Sequence, residues 1–385
     1  MFSKITSCKS IYDLRERAIK RLPRPIYYYL ECGSDDEYSY KNNTAAFDNY
    51  HLVPDVLNDV SKVNMSTRLL GCDIDLPLIL SPTGMTRMFH PEGELAVIRA
   101  AEKFGVLYTA SIMASYLIHD MAAASKAPKM FQLYVVTDHG LNEELIEQAR
   151  AGGFNALCLT VDTVVGGKRE AVEKAGMTVP PSLTLKSALQ FAIRPKWLWD
   201  YYTNPPMEMV NLVNAAAGSS SAGMPLAHYV RGLLKRKLTW GDAEQMIKRW
   251  NGPFVIKGVL SIKDAKQAVN IGATAIMISN HGGRQLDGTP APIQLVTDIR
   301  DAVGDKIEVI VDGGIRRGTH ILKALALGAT ACSIGRPYLY GLAMGGQAGV
   351  ERALKILRDE VKQGMTLLGC NKINDVTERH IRELT

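Results

Sequence analysis

From Leu76 onward this chain repeats one beat, in which a short run of β-branched or apolar residues ends in polar residues or glycine and an amphipathic stretch follows. Eight beats can be counted. Their strand-like runs end at Leu80-Ser81-Pro82, Tyr108-Thr109-Ala110-Ser111, Phe131-Gln132-Leu133-Tyr134, Leu159-Thr160-Val161-Asp162, Val255-Ile256-Lys257, Ile278-Ser279-Asn280, Val311-Asp312-Gly313-Gly314 and Ser333-Ile334-Gly335-Arg336. Between them residues 262–271 and 320–327 carry helical spacing, the second stopped by Gly328. Strand and helix alternating in this way, with strands apolar throughout, predict a parallel (β/α)8 barrel of the α/β class. A doubly wound sheet would more often open with a Gly-x-Gly-x-x-Gly turn, and the chain offers none. Barrels of this kind carry their sites at the strand C-termini, so the polar residue ending each run is a site candidate.

Composition narrows the class. With 385 residues, 46% of them hydrophobic, the chain can bury a large core. A net charge of +6 is too diffuse to indicate nucleic acid, though it suits an anionic cofactor or an acidic membrane surface. Cys8, Cys32, Cys72, Cys158, Cys332 and Cys370 are scattered without a Cys-x-x-Cys pair, so reduced thiols in a cytosolic setting are expected, with neither a disulfide framework nor a metal site. The first helical stretch is charged and lacks the apolar core of a signal peptide. Residues 1–70 read as a helical cap broken at Leu22-Pro23-Arg24-Pro25, followed by a barrel over 75–366 and a tail over 367–385, all within one domain spanning 1–385.

Three stretches carry chemistry. Ser279-Asn280-His281-Gly282-Gly283-Arg284-Gln285-Leu286-Asp287 places a histidine able to take a proton near neutral pH beside an arginine whose planar fork fits a carboxylate. Asp312-Gly313-Gly314-Ile315-Arg316 and Gly335-Arg336 follow the seventh and eighth runs, where barrels of this type hold phosphate on backbone amides and arginines. Lys257 ends the fifth run inside a wall that should be apolar, and a buried ammonium is costly unless it faces an anion.

The run SNHGGRQLDG resembles the active-site signature of the FMN-dependent 2-hydroxy acid dehydrogenases and oxidases, the glycolate oxidase and L-lactate dehydrogenase family. The resemblance extends over residues 22–382 and is weakest over 171–240. It implies FMN as cofactor, with Lys257 at the flavin N1 and O2 edge and Pro82, Thr83, Gly84, Ser111, Gln132, Thr160 and Ser279 around the ring and ribityl chain. Asp312, Gly313, Gly314, Arg316, Gly335 and Arg336 fall on the phosphate side. It further implies that His281 removes a proton from an L-2-hydroxy acid while Asp162 orients it, that Arg284, Arg169 and Tyr29 grip the carboxylate, and that Tyr134 bonds the 2-hydroxyl.

Met113 stands where the glycolate oxidase branch has a bulky aromatic, and Val164-Val165 replaces a Pro-Arg-like pair, so glycolate is not carried over. The expected substrate is L-lactate, oxidised to its 2-keto acid with electrons passed to a quinone or cytochrome. The alternative is an oxidase that makes hydrogen peroxide, or another acid such as mandelate or glycolate. Hydride and carbanion routes both stay open, and the family implies a homo-tetramer.

The segment 171–240 is far longer than a usual barrel connection. Leu185, Ala188, Leu189 and Ala192 recur at helical spacing, Phe191 to Trp199 mixes aromatics with cations, and Leu233-Leu234-Lys235-Arg236-Lys237 adds a basic patch. That composition suits a membrane interface, and equally a lid or a subunit contact. Related membrane-attached dehydrogenases carry an insertion here. The expected location is cytoplasmic, with peripheral contact to the cytoplasmic face of the inner membrane through this segment.

Overall fold

The polar strand ends of the sequence converge because the eight runs close into one ring. A computed structural model describes residues 5–177, 188–205, 207–212 and 235–384. Strands β1 (Leu78–Leu80), β2 (Leu107–Ser111), β3 (Lys129–Leu133), β4 (Ala156–Thr160), β5 (Phe254–Val259), β6 (Ala275–Ser279), β7 (Glu308–Asp312) and β8 (Ala331–Ile334) form a closed barrel. Each pairs in parallel with the next, and β8 returns to β1 through Cys332↔Leu78 and Ile334↔Leu80. Both faces of every strand are covered, which is why the strands read as apolar runs with no alternation. Ile79, Leu107, Met130, Cys158, Val255, Met277, Ile310 and Ala331 fill the inside.

One element not foreseen from the sequence plugs the lower mouth. Thr67–Leu69 and Cys72–Ile74 pair as an antiparallel hairpin that sends Leu69, Leu70 and Ile74 into the barrel interior. Leu70 N is held by the carboxylate of Glu308, the first residue of β7, at 3.0 Å.

Helices Ile11–Arg21, Arg24–Glu31 and Tyr38–Ala45 form the cap. Ser10 and Asp13 close the first helix with a reciprocal capping box, and Pro23 and Pro25 start the second where a missing N–H costs nothing. The tail is not loose: Ile381–Glu383 pairs with Tyr50–Leu52 of the cap region. It follows the long helix Arg336–Leu368, which breaks at Gly345 and Gly346. All six cysteines are unpaired, and all but Cys72 are buried.

In the insertion, Ala188–Ala192 and Pro195–Thr203 are short helices. Leu185, Leu233 and Leu234 lie outside the described residues. Trp197, expected among membrane-facing aromatics, faces the protein: it is 6% exposed, donates Nε1–H to Met88 O at 2.9 Å, and packs on Phe191 and Tyr201. The reason is its helical position, opposite Trp199, which is 70% exposed. Arg21 and Asp200 pair at 2.9 Å and Arg194 bonds Leu22 O at 3.2 Å, so the cap holds these helices in place. Among the described residues no helix is long and apolar enough to cross a membrane.

Candidate active site

Lys257, at the end of β5, is buried and meets Asp312, at the end of β7, at 2.9 Å. Ser279, ending β6 between them, receives Lys257 Nζ at 3.0 Å and donates to Asp312 Oδ2 at 2.7 Å. Ser81 donates to the other carboxylate oxygen at 2.5 Å. Burial opposes the Asp312 carboxylate, but Lys257 and these hydroxyl donors bring its pKa down to about 2. Burial likewise opposes the Lys257 ammonium, and Asp312 and Asp162 outweigh it, holding the pKa above the ordinary lysine value. A fixed positive charge thus stands at the barrel mouth. Asp312 contributes to the site by keeping Lys257 charged.

His281 sits 3.0 Å, Nδ1 to Oδ1, from Asp162 beyond the end of β4. A neutral ring that donates Nδ1–H to Asp162 leaves its Nε2 lone pair as the proton acceptor. Burial raises the Asp162 pKa, but His281 and Lys257 pull it below the ordinary aspartate value, so it stays anionic. The approach depends on Gly258: a Cβ there would lie 2.7 Å from Asp162 Cβ, and the strand register slips between Lys257 and Val259 at this residue. His281, Gly282 and Gly283 have φ of 58°, 66° and 73°, so three successive residues adopt the left-handed region. For a histidine that conformation costs on the order of 1 kcal/mol and persists where surroundings enforce it.

Those surroundings are the rest of the same motif. Ser279 Oγ accepts the His281 N–H at 3.0 Å. Asn280 and Asn43 of the cap exchange side-chain amide bonds at 2.7 and 2.8 Å, and Asn280 Oδ1 also accepts Gly283 N–H at 3.0 Å. Gln285 Nε2 donates to Asp162 O and Val165 O, both at 2.8 Å, tying the loop after β4 to the histidine loop. Asp287 accepts from Tyr38 N and Ser39 N at 3.1 and 2.7 Å, capping the cap's third helix from outside. Gly258 and Asn43 were missed as site residues by sequence reasoning, and Gln285 and Asp287 were read within the motif but given no role. A glycine directly after the lysine of a strand end, or an acid closing the motif, was the available signal for two of them.

Two guanidinium groups approach the Tyr29 ring, Arg284 at 5.2 Å and Arg169 at 5.5 Å from its centre. Arg284 also donates to Tyr29 O at 2.7 Å. Burial first, and Arg169 second, pull the Arg284 pKa down to about 9. Among the described residues lining the cavity the one carboxylate is Asp312, which Lys257 engages, so the two arginines make a receptor for an anion. Burial and Asp162 push the Tyr134 pKa above its ordinary value, so its hydroxyl remains a donor.

These groups line one cavity of about 1480 Å³, its open mouth included. Pro82, Thr83, Gly84, Ser111 and Met113 form one wall, and Gly313, Gly314, Arg316, Gly335 and Arg336 another. Gln132 Nε2 and Thr160 Oγ1 are buried without a hydrogen-bond partner, although Ser111 occupies the other end of the Gln132 amide at 3.0 Å. Unpaired buried polar atoms at two neighbouring strand ends call for a polar ligand, and with Lys257 they fit a flavin ring edge. Arg336 donates to Leu30 O, Gly282 O and Cys32 O at 3.1, 2.8 and 3.1 Å, so it clamps the cap to the histidine loop while facing the cavity. Arg316 is buried and bonds Ile315 O at 2.9 Å.

The family model for FMN-dependent dehydrogenases matches residues 18–383. Glycolate oxidase 1 of Oryza sativa subsp. indica is 38% identical over 372 residues, covering 97% of this chain and 95% of that protein. The crystal structure of the monotopic membrane protein (S)-mandelate dehydrogenase superposes with a TM-score of 0.93 at 32% identity, covering 98% and 100% of the two chains. A lactate oxidase structure from Pediococcus acidilactici gives 0.85 at 30% identity, over 98% and 96%. With its barrel, its charged lysine edge and its histidine and arginine loop, this chain belongs to the FMN-dependent dehydrogenases that oxidise 2-hydroxy acids, and FMN is its cofactor.

Proposed function

We propose that the protein oxidises an L-2-hydroxy acid bearing an apolar side chain larger than that of glycolate, mandelate among the candidates, and hands the electrons to a membrane quinone. The observation that carries the substrate class is the pairing of Arg284 and Arg169 around Tyr29, beside a histidine whose proton-accepting nitrogen is set by Asp162. Arg284 and Arg169 receive the carboxylate, Tyr134 donates to the 2-hydroxyl, and His281 Nε2 takes a proton from the acid. Asp162 stabilises the cationic ring that results. FMN, when bound, accepts the two electrons of the oxidation. Lys257 would hold the ring edge, where its fixed charge favours the reduced form.

Met113, Leu339 and Phe89 give the cavity an apolar wall, which supports a side chain of some size. L-lactate, the expected substrate, is not singled out by the relatives, which include glycolate oxidases and a mandelate dehydrogenase. The quinone acceptor is supported by the outer face of the insertion, where Leu189, Ile193, Trp199 and Tyr202 are exposed together with Lys196. Exposed apolar side chains beside a lysine on two short helices suit the headgroup region of an anionic bilayer, here the cytoplasmic face of the inner membrane. A second reading, a soluble glycolate oxidase that uses oxygen, is favoured by the identity to plant glycolate oxidases.

The deciding experiment measures kcat/KM for glycolate, L-lactate and (S)-mandelate with oxygen and with a soluble quinone analogue. The proposal expects (S)-mandelate above glycolate and the quinone above oxygen. Glycolate and oxygen as the best pair would replace it with the second reading.

A further inference from the structure

Glu94 lies in the first turn of the helix Gly93–Phe104 and has no solvent exposure. None of the steps above uses it. A carboxyl group in such a place is costly unless donors surround it, and burial pushes its pKa up despite the donors it has. Glu94 Oε1 accepts from Thr86 N at 3.1 Å, Ser115 N at 2.9 Å and Ser115 Oγ at 3.4 Å. Thr86 belongs to the loop after β1 and Ser115 to the loop after β2, so one oxygen ties the two loops together. Between these attachments Met85 donates to Met113 O at 2.8 Å, with Met85 held in the left-handed region at φ 53°. The turn from β2 is pinned at its start by Ser111 Oγ, which accepts Met113 N–H at 3.1 Å, and at its far end by Glu94. Met113 stands between the two pins and lines the cavity, as do Pro82, Thr83 and Gly84 of the other loop.

We propose that Glu94 is a positioning residue for the substrate's side-chain pocket: by locking the loop after β1 to the loop after β2, it fixes where Met113 stands and thereby which hydroxy acids fit. This rests on the assignment of Met113 to the substrate wall. Glutamine keeps an accepting oxygen at the same reach, whereas aspartate is one methylene too short to meet both backbone amides.

The test measures kcat/KM of holoenzyme variants for glycolate, L-lactate and (S)-mandelate with a soluble dye acceptor. E94Q keeps the wild-type mandelate-to-glycolate ratio, and E94D changes that ratio by about tenfold, the scale on which a misplaced pocket methylene discriminates, with FMN still bound. In an M113A background the same E94D change moves the ratio by less than about twofold, because the side chain it positions is gone. E94D lowering kcat/KM for all three acids by one common factor, or shifting the ratio equally with and without Met113, would overturn the proposal. An E94D chain that does not fold also counts against it, since the carboxyl would then serve the fold and not the pocket. Wild-type protein whose flavin is reduced by none of the three acids would instead contradict the proposed function, before any variant is made.

Discussion

A lysine and an aspartate buried together at the barrel mouth are expensive singly and stable as a pair, and that pair makes a pH prediction. Asp312 has a folded pKa of about 2, below the roughly 3.9 of an unfolded aspartate. Its contribution to stability is therefore complete above about pH 4 and is lost as pH falls toward 2. D312N removes that contribution and strands the Lys257 charge, a loss of about 3–5 kcal/mol near neutrality. Urea unfolding of wild type and D312N, both stripped of cofactor, should show a gap that is wide at pH 7 and narrower at pH 3; an equal gap at both would mean that the pair does not titrate as described. At this scale Lys257 was legible because it interrupts an apolar run, and His281 and Arg284 because they stand three residues apart in the polar, glycine-rich stretch that follows one. Asn43 was not, because its partner Asn280 is 237 residues away and nothing local marks the contact. Trp197 read as an interfacial aromatic because composition is blind to which side of a helix a residue takes.

The eight strands were legible as elements because each is buried on both faces and so carries an apolar run, while the hairpin plug was not, since its two short strands are partly exposed, carry Arg68 and Asp73, and so offer no such run. The paired helices Ala188–Ala192 and Pro195–Thr203 have two faces with different expected fates. On the inner face, W197S removes a buried indole and its bond to Met88 O, and should cost about 3–5 kcal/mol by analogy with large-to-small core changes. On the outer face, W199S combined with Y202S should leave Tm and dye turnover near wild type but reduce sedimentation with anionic vesicles at low salt. Thermal melts and vesicle sedimentation of both variants check this. Equal sedimentation of wild type and the double variant, or of wild type never sedimenting, would return the segment to a lid or a subunit contact.

Taken as a molecule, the site is assembled by closure: the cap reaches the barrel through Asn43, Arg336 and Asp287, and each of these contacts ends on the loop that carries His281. Glu31 adds a buried anchor, accepting from Tyr340 at 2.6 Å and from Tyr40 and Arg15, so the cap's second helix is fixed where Tyr29 must stand. The left-handed backbone of His281 is the product of that whole arrangement, which is why the proposed base is fixed by residues far from it in sequence. The central claim is that this histidine takes the proton as a 2-hydroxy acid is oxidised at FMN. Anaerobic stopped-flow reduction of the bound flavin by (S)-mandelate and L-lactate, in wild type and H281Q, tests it most directly. The account predicts rapid loss of the oxidised-flavin absorbance in wild type and a rate lower by about 100-fold to 10,000-fold in H281Q, the usual worth of a general base, with FMN bound in both; reduction of H281Q at the wild-type rate would contradict it.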